Sequence, residues 1–311
     1  MDRDAANLAA NLAVVRVLAS KRLPGEAWNE LRDVEIGALD KRRDDVEVLI
    51  VANETVDEAV LELLPGLRLV ANFGVGYDRI DIAACRARGI GVTNTPVVLD
   101  AATADLAMAL MLAARRRVVE SDALVRAGRW DTHWAKGPFL GREVSGATLG
   151  IVGLGRIGSA VARRARGFDL RVIFSRRTPS ADPSYRKLDE LLRESDIVSL
   201  HTPLTAETTG LLSRERLALL RDGATLVNTA RGAVVDEDAL VDELVAGRIN
   251  AGLDVFVNEP KVPEALLGLP NVVLTPHIAS ATVETRTAMT RIVVDNVLAF
   301  ERGEPLTTPI Q

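Results

Sequence analysis

Cysteine is almost missing. Cys85 is the only one in 311 residues, so no intrachain disulfide can form and a thiolate metal cluster is excluded. Histidine is nearly as scarce, at His133, His201 and His277, which leaves little for a His-rich metal site, and no metal is expected. No apolar run reaches about 18 residues without a charge, so no membrane span is expected. An excess of base is missing too. Lys and Arg number 38 against 43 Asp and Glu, a net charge of −5, whereas a nucleic-acid binder needs a basic stripe. Anionic ligands would need a local cluster of cations. The first 13 residues carry two acids and one base before any apolar run; that order does not fit a secretory signal, and the cytoplasm is the expected compartment. There is neither an internal repeat nor a low-complexity segment. What is present is an ordinary globular composition, 48% hydrophobic and 26% charged, over a length that favours two domains.

Short apolar strands alternate with amphipathic helical patterns. In the first block, 14–19, 46–52 and 67–73 read as buried strands, with helices opening at Pro24-Gly25-Glu26 and covering 56–64 and 81–88. A long helix rich in Ala, Leu and Met spans 100–117. The alternation restarts at Ala147, with strands at 147–152, 170–175, 196–201, 224–230, 249–255 and 271–275 and helices at 156–167, 213–220, 236–247 and 283–302. Continuous apolar strands separated by helices predict an α/β chain whose parallel sheets are covered on both faces by right-handed crossovers. Six strands in the second block make a complete dinucleotide-type sheet. The stretch 128–146 has little period but holds Trp130, His133, Trp134, Gly137, Pro138, Phe139 and Gly141. It reads either as an arm that covers a partner chain or as a cap on its own core.

Gly153-Leu154-Gly155-Arg156-Ile157-Gly158 follows the strand Leu149-Gly150-Ile151-Val152 and opens a helix. The first glycine permits a tight turn, the second lets backbone approach a pyrophosphate, and the third lets helix pack on strand. The free N–H groups and positive end of the helix then face the phosphates. The next strand ends at Ser175, followed by Arg176 and Arg177, where a site for NAD would carry an acid to bind the ribose 2′-hydroxyl. A serine and two arginines can instead bind and neutralise a 2′-phosphate, which predicts NADPH over NADH.

Five motifs in order carry a resemblance: Asn72-Phe73-Gly74-Val75-Gly76-Tyr77-Asp78, the Gly153 fingerprint, Asn228-Thr229-Ala230-Arg231-Gly232, Gly252-Leu253-Asp254-Val255-Phe256 through Glu259-Pro260, and Thr275-Pro276-His277-Ile278-Ala279. From about Val14 to the C-terminus the sequence resembles the D-2-hydroxyacid dehydrogenases. Its Ser-Arg-Arg tip and the stretch from Val262 to Arg286 are most similar to the NADPH-dependent glyoxylate/hydroxypyruvate reductases. The resemblance implies two Rossmann-like domains. The substrate domain would be discontinuous and flavodoxin-like, built from 1–97 plus 284–311, with the NADP-binding domain 98–283 inserted in it and a dimerisation arm at 118–146 bearing Trp130 and Trp134. Substrate and nicotinamide would meet in the cleft of such a pair, in a homodimer.

Reducing a 2-oxo acid takes a hydride, a proton for the developing alkoxide, and a cation that orients the carboxylate and polarises the carbonyl. The family motif makes His277 the acid, just past a predicted strand end. A bare histidine there would more often be structural. Glu259 matches the acidic partner that holds the ring and favours its charged form. Arg231 matches the cation, its fork suited to carboxylate and carbonyl oxygen together. The resemblance also places His201, Thr202, Pro203, Thr208, Thr229, Ala230, Asp254 and Ala279 beside the cofactor, with Arg156 and Ile157 of the fingerprint. His201 is accordingly a poorer acid than His277. Gly74, Val75 and Gly76 form a loop whose N–H groups receive the substrate carboxylate, and Asn53 lines the same site. The expected activity is NADPH-dependent reduction of glyoxylate and hydroxypyruvate to glycolate and D-glycerate. Reduction of bulkier aryl pyruvates, or a dinucleotide-sensing role without turnover, are the alternatives.

Overall fold

A computed structural model describes residues 15–130 and 140–310. Within the expected arm, His133, Trp134, Gly137, Pro138 and Phe139 lie outside the described residues. The chain divides into two compact units, Met1–Leu99 with Ser280–Gln311, and Asp100–Ala279.

The smaller unit holds β1 (Val17–Ala19), β2 (Val34–Ile36), β3 (Val48–Val51), α1 (Glu58–Leu63), β4 (Leu69–Asn72), α2 (Ile82–Ala87) and β5 (Gly91–Thr93). Its sheet is parallel with order β2-β1-β3-β4-β5, the flavodoxin-like order. β3 and β4 are buried along their whole length, and Leu49, Val51 and Val70 pack with Leu61, Cys85 and Ile90 into one core. Helix starts follow from side-chain caps: Asp57 accepts from the Val60 amide at 3.1 Å, and Asp81 from the Ala84 amide at 2.9 Å. The C-terminal helix, Val283–Glu301, begins at a Thr282 cap and buries Met289, Val293 and Val297 in this unit. Sequence periodicity did not show β2 and β5. Each has three residues, β2 with a glutamate at its centre and β5 opening on glycine, too little for an apolar pattern. The helix expected at Pro24-Gly25-Glu26 is a short 3-10 turn, Glu26–Glu30, that buries Trp28.

The larger unit holds α3 (Asp100–Arg116), α4 (Val118–Arg126), β6 (Thr148–Val152), α5 (Arg156–Arg166), β7 (Arg171–Ser175), α6 (Leu188–Glu194), β8 (Ile197–Leu200), α7 (Arg214–Leu217), β9 (Thr225–Asn228), α8 (Glu237–Val245), β10 (Asn250–Leu253) and β11 (Val272–Leu274). All its strands are parallel, ordered β11-β10-β9-β8-β6-β7. A parallel bridge from Phe174 to Tyr185 extends the β7 edge. The chain runs outward in one direction from β6 and in the other from β8, so the point where strand order reverses lies between them, where open α/β sheets bind ligands. Alternate residues go to opposite faces, and both faces are covered. Val152, Ile173, Val198, Leu226 and Leu253 join one core with α6 and α8, while Ile151, Phe174, Ile197 and Val227 join the other with α3 and α5. That double burial makes the strands read as unbroken apolar runs. The expected single helix 100–117 stops at Arg116, because Arg117 takes a left-handed conformation (φ 56°) and α4 starts afresh. No residue of α4 is buried. Among the described residues no helix is long and apolar enough to cross a membrane.

Candidate active site

The functional side chains gather at the C-terminal ends of the strands of the larger unit. At the end of β6, Gly153 has φ +95°, and a side chain there would lie 2.6 Å from the His201 carbonyl oxygen. Its amide donates to the Ser175 carbonyl at 2.8 Å, which ties the turn to the tip of β7. A Cβ on Gly158 would collide with the Gly153 carbonyl, so α5 packs directly against the turn. Gly155 differs from both: nothing lies within 4 Å of where its Cβ would be. Packing therefore demands the first and third glycines, whereas the middle one borders open space at the N-terminus of the 11-residue α5. Two hydroxyls close to this edge, Thr202 Oγ1 and Thr229 Oγ1, are buried with no partner in the structure. Open space over a glycine, a helix N-terminus and orphaned hydroxyls are what a dinucleotide would fill, so the residues present fit the group.

Around that turn, Ser175 is buried while Arg176 and Arg177 are exposed, with Arg176 Nε donating to the Thr178 carbonyl at 3.0 Å. Arg156 Nε lies 3.0 Å from Asp100 Oδ2, so this guanidinium is ion-paired to the start of α3. Thr208 Oγ1 donates to the Pro203 carbonyl at 2.6 Å and accepts from the Thr205 amide at 2.8 Å, folding the loop after β8 on itself. His201 Nε2 shares a 2.8 Å hydrogen bond with Ser199 Oγ, and burial pushes its pKa down to about 4. The ring is neutral near pH 7 and has no proton to give as an acid.

A connected set of contacts joins the ends of β9, β10 and β11. Asn228 closes β9; its side chain accepts from the Ala230 amide (3.0 Å) and donates to the Arg231 carbonyl (2.9 Å), fixing the turn that carries Arg231. Arg231 Nη1 donates to the Ala230 carbonyl at 2.8 Å. Gly232 follows, and a Cβ on it would collide with the backbone of Phe256 and Val257. The Phe256 amide in turn donates to Glu259 Oε1 at 3.1 Å. Glu259 Oε2 lies 2.8 Å from His277 Nδ1, an ion pair when the ring is protonated. Glu259 is thus held from its own loop by one oxygen and holds the imidazole with the other, leaving Nε2 as the nitrogen that can pass a proton. His277 itself sits at φ 53°, a conformation that costs a residue with a Cβ, and its amide donates to the carbonyls of Asp254 (2.9 Å) and Thr275 (3.1 Å).

Asp254 is fully buried, 0% exposed. Oδ1 accepts from Thr275 Oγ1 (2.6 Å) and the Ile278 amide (2.8 Å), and Oδ2 from the Ala279 amide (2.9 Å). Burial raises its pKa, opposed by those hydrogen bonds and by the charge of His277. Its visible work is to clamp the segment that presents His277. Sequence reading also gave no role to Asn228 or Gly232. Only their place beside Arg231 in a motif marked them.

In the smaller unit, every carbonyl of the Gly74–Val75–Gly76 loop is occupied from within. Asn72 Nδ2 donates to Gly74 (3.2 Å) and Gly76 (2.8 Å), and Asn94 Nδ2 donates to Val75 (2.9 Å). These bonds fix the conformation of the loop. Asn53 is exposed, its amide donating to Glu54 Oε2 at 3.0 Å.

Residues 108–279 match the family model described as D-isomer specific 2-hydroxyacid dehydrogenase, NAD binding domain. The chain belongs to this family. It is 49% identical over 290 residues to a glyoxylate reductase of Pyrococcus furiosus, covering 90% of this chain and 86% of that one. Among solved structures, the TT0316 protein of Thermus thermophilus superposes with a TM-score of 0.89 at 46% identity, covering 96% of this chain and 100% of that one. The NADPH-dependent glyoxylate/hydroxypyruvate reductase of Sinorhizobium meliloti, solved with NADP and malonate, does so at 0.87 and 37%, covering 96% and 97%. This D-2-hydroxyacid dehydrogenase is therefore an oxidoreductase with an NAD(P)-binding domain, and its glycine turn and Arg231–Glu259–His277 set lie inside the matched residues.

The environments of the middle and third glycines separate binding from folding. Gly155→Ala is expected to leave the melting temperature within about 2 °C of the parent, as a surface change does, while raising the KM for the nicotinamide cofactor at least tenfold. Gly158→Ala is expected to destabilise the protein itself, by about 2 kcal/mol or more. Thermal denaturation beside cofactor titration checks both.

Proposed function

We propose that this dehydrogenase works as an NADPH-dependent reductase of small 2-oxo acids, taking glyoxylate to glycolate and hydroxypyruvate to D-glycerate. The observation that carries the reading is the carboxylate-backed imidazole, Glu259 Oε2 at 2.8 Å from His277 Nδ1, on a loop whose Phe256 backbone packs against Gly232, the neighbour of Arg231. The relatives named above as glyoxylate reductase and glyoxylate/hydroxypyruvate reductase support the substrate class.

When bound, NADPH supplies the hydride. Arg231 holds the substrate carboxylate and draws charge toward the carbonyl oxygen. His277 gives its Nε2 proton to the oxygen as alkoxide character develops, and Glu259 keeps the other nitrogen protonated and the ring in place. The N-terminus of α5 would hold the phosphates of the bound cofactor, and Ser175, Arg176 and Arg177 would take the 2′-phosphate, which an acid at the tip of β7 would repel. The assembly is a homodimer. α4, with no buried residue, together with Trp130 (70% exposed) and Leu140 (82% exposed), supplies an apolar surface for a second copy.

Steady-state kinetics with glyoxylate, hydroxypyruvate and hydroxyphenylpyruvate test the substrate. The expected order of kcat/KM puts the two small acids first, and a clear preference for the aryl acid would reject it. Replacing Ser175 by Asp together with Arg176→Ala is expected to reverse the cofactor preference toward NADH by at least tenfold. An unchanged NADPH/NADH ratio removes the basis for the 2′-phosphate site.

A further inference from the structure

The larger unit has a second place built for a ligand, at the edge of the sheet opposite the one just described. Gly223 precedes β9, Asn250 opens β10 and Asn271 precedes β11, and all three line a cavity of about 450 Å³. Arg231, Asp254 and His277 follow the other ends of these strands, and the glycine turn follows the same end of β6. A four-residue strand is about 13 Å long, so the two places do not share residues or reach.

Four arginines line the cavity, Arg115, Arg117, Arg142 and Arg248, against one carboxylate, Asp222. Two of the four have carboxylate partners: Arg117 pairs with Glu120, and Arg248 with Glu243 and, at 3.6 Å, with Asp222. Arg115 is 6% exposed and spends its fork on main-chain carbonyls, those of Glu143 (Nε at 3.0 Å) and Asp196 (Nη1 at 3.2 Å). Burial lowers its pKa, Arg142 pushes the same way, and the charges of Asp196 and Glu143 oppose both. Arg142 is seated by its backbone, whose amide donates to the Arg115 carbonyl at 2.8 Å, and its guanidinium lies flat against Gly223, filling the space a side chain there would need. Among the described residues no carboxylate pairs with Arg142 or Arg115. Two guanidiniums thus share one cavity, one buried and one seated over a glycine, neither ion-paired to a carboxylate among the described residues. The Arg142 fork matches a compact dianion, above all a phosphate group, which accepts two parallel N–H bonds from it, while Arg115, its own N–H groups spent on carbonyls, adds positive charge behind it.

We propose that this cavity is an anion site for a phosphate group, separate from the active site, with Arg142 as its principal contact and Arg115 as the buried charge behind it. Free phosphate and a small phosphate ester share the chemistry that would be recognised.

Calorimetric titration of inorganic phosphate, and in a parallel arm glycerol phosphate, into protein saturated with NADP+ tests this against sodium chloride of equal ionic strength. NADP+ fills the glycine turn, and Arg231→Ala removes the remaining arginine an oxyanion would seek. One saturable site per chain is expected, weakened at least tenfold in Arg142→Ala and unchanged in Arg231→Ala. The tighter of the two titrants identifies the source. Arg142 is on the surface, and unchanged NADP+ affinity with an unchanged circular dichroism spectrum shows that its variant is folded. The proposal is overturned by the absence of saturable binding beyond the salt control, by equal binding in Arg142→Ala, or by loss of binding in Arg231→Ala.

Discussion

Arg231→Ala lowers kcat/KM for glyoxylate by about three orders of magnitude, ~4 kcal/mol of transition-state binding. The size follows from two jobs done by one group. The guanidinium binds the carboxylate before reaction, which sets KM, and it meets the growing charge on the carbonyl oxygen during reaction, which sets kcat. Arg231→Lys keeps the charge but loses the fork, so it recovers only a small part of the loss. Because Asn228 holds the turn through main-chain atoms of residues 230 and 231, truncating the side chain leaves the turn intact, and the melting temperature stays near that of the parent. Steady-state kinetics with a thermal scan on the same samples separates the two. Activity within tenfold of the parent would remove Arg231 from the reaction.

His277→Ala lowers kcat by about 10³ to 10⁴, the range expected for loss of a positioned general acid, while NADPH binding, measured by fluorescence titration, survives. The contrast with His201 sharpens this. His201 is neutral near pH 7, its pKa held at about 4 by burial, so His201→Asn should leave the shape of the pH–rate profile between pH 5 and 8 unchanged. A limb that moved with His201 instead of His277 would exchange their roles.

How much of this was legible in the chain depends on which signals are local. The strands of the larger sheet could be read because burial on both faces leaves unbroken apolar runs such as Leu226-Val227, whose neighbours enter opposite cores. β2, β5 and α6 escaped notice because three to seven residues do not hold a period. The end of α3 was placed one residue late because nothing in Arg117 signals a left-handed backbone. In the site, the glycines announced the turn, yet only the structure shows that Gly153 and Gly158 serve packing while Gly155 borders open space. For Asp254 a motif gives a position and not a direction. Its carboxylate points back into the 275–279 segment. The anion cavity left no trace in the sequence, since its arginines come from three separate stretches, Arg115 with Arg117, Arg142, and Arg248.

The most direct test of the chemistry follows an atom. Glyoxylate is incubated with the enzyme and NADPH deuterated at the transferable position of the nicotinamide, and the product is examined by mass spectrometry. The account predicts glycolate carrying one deuterium on the former carbonyl carbon, formed in step with NADPH consumption; NADPH that binds tightly and stays unoxidised in the presence of glyoxylate would contradict it.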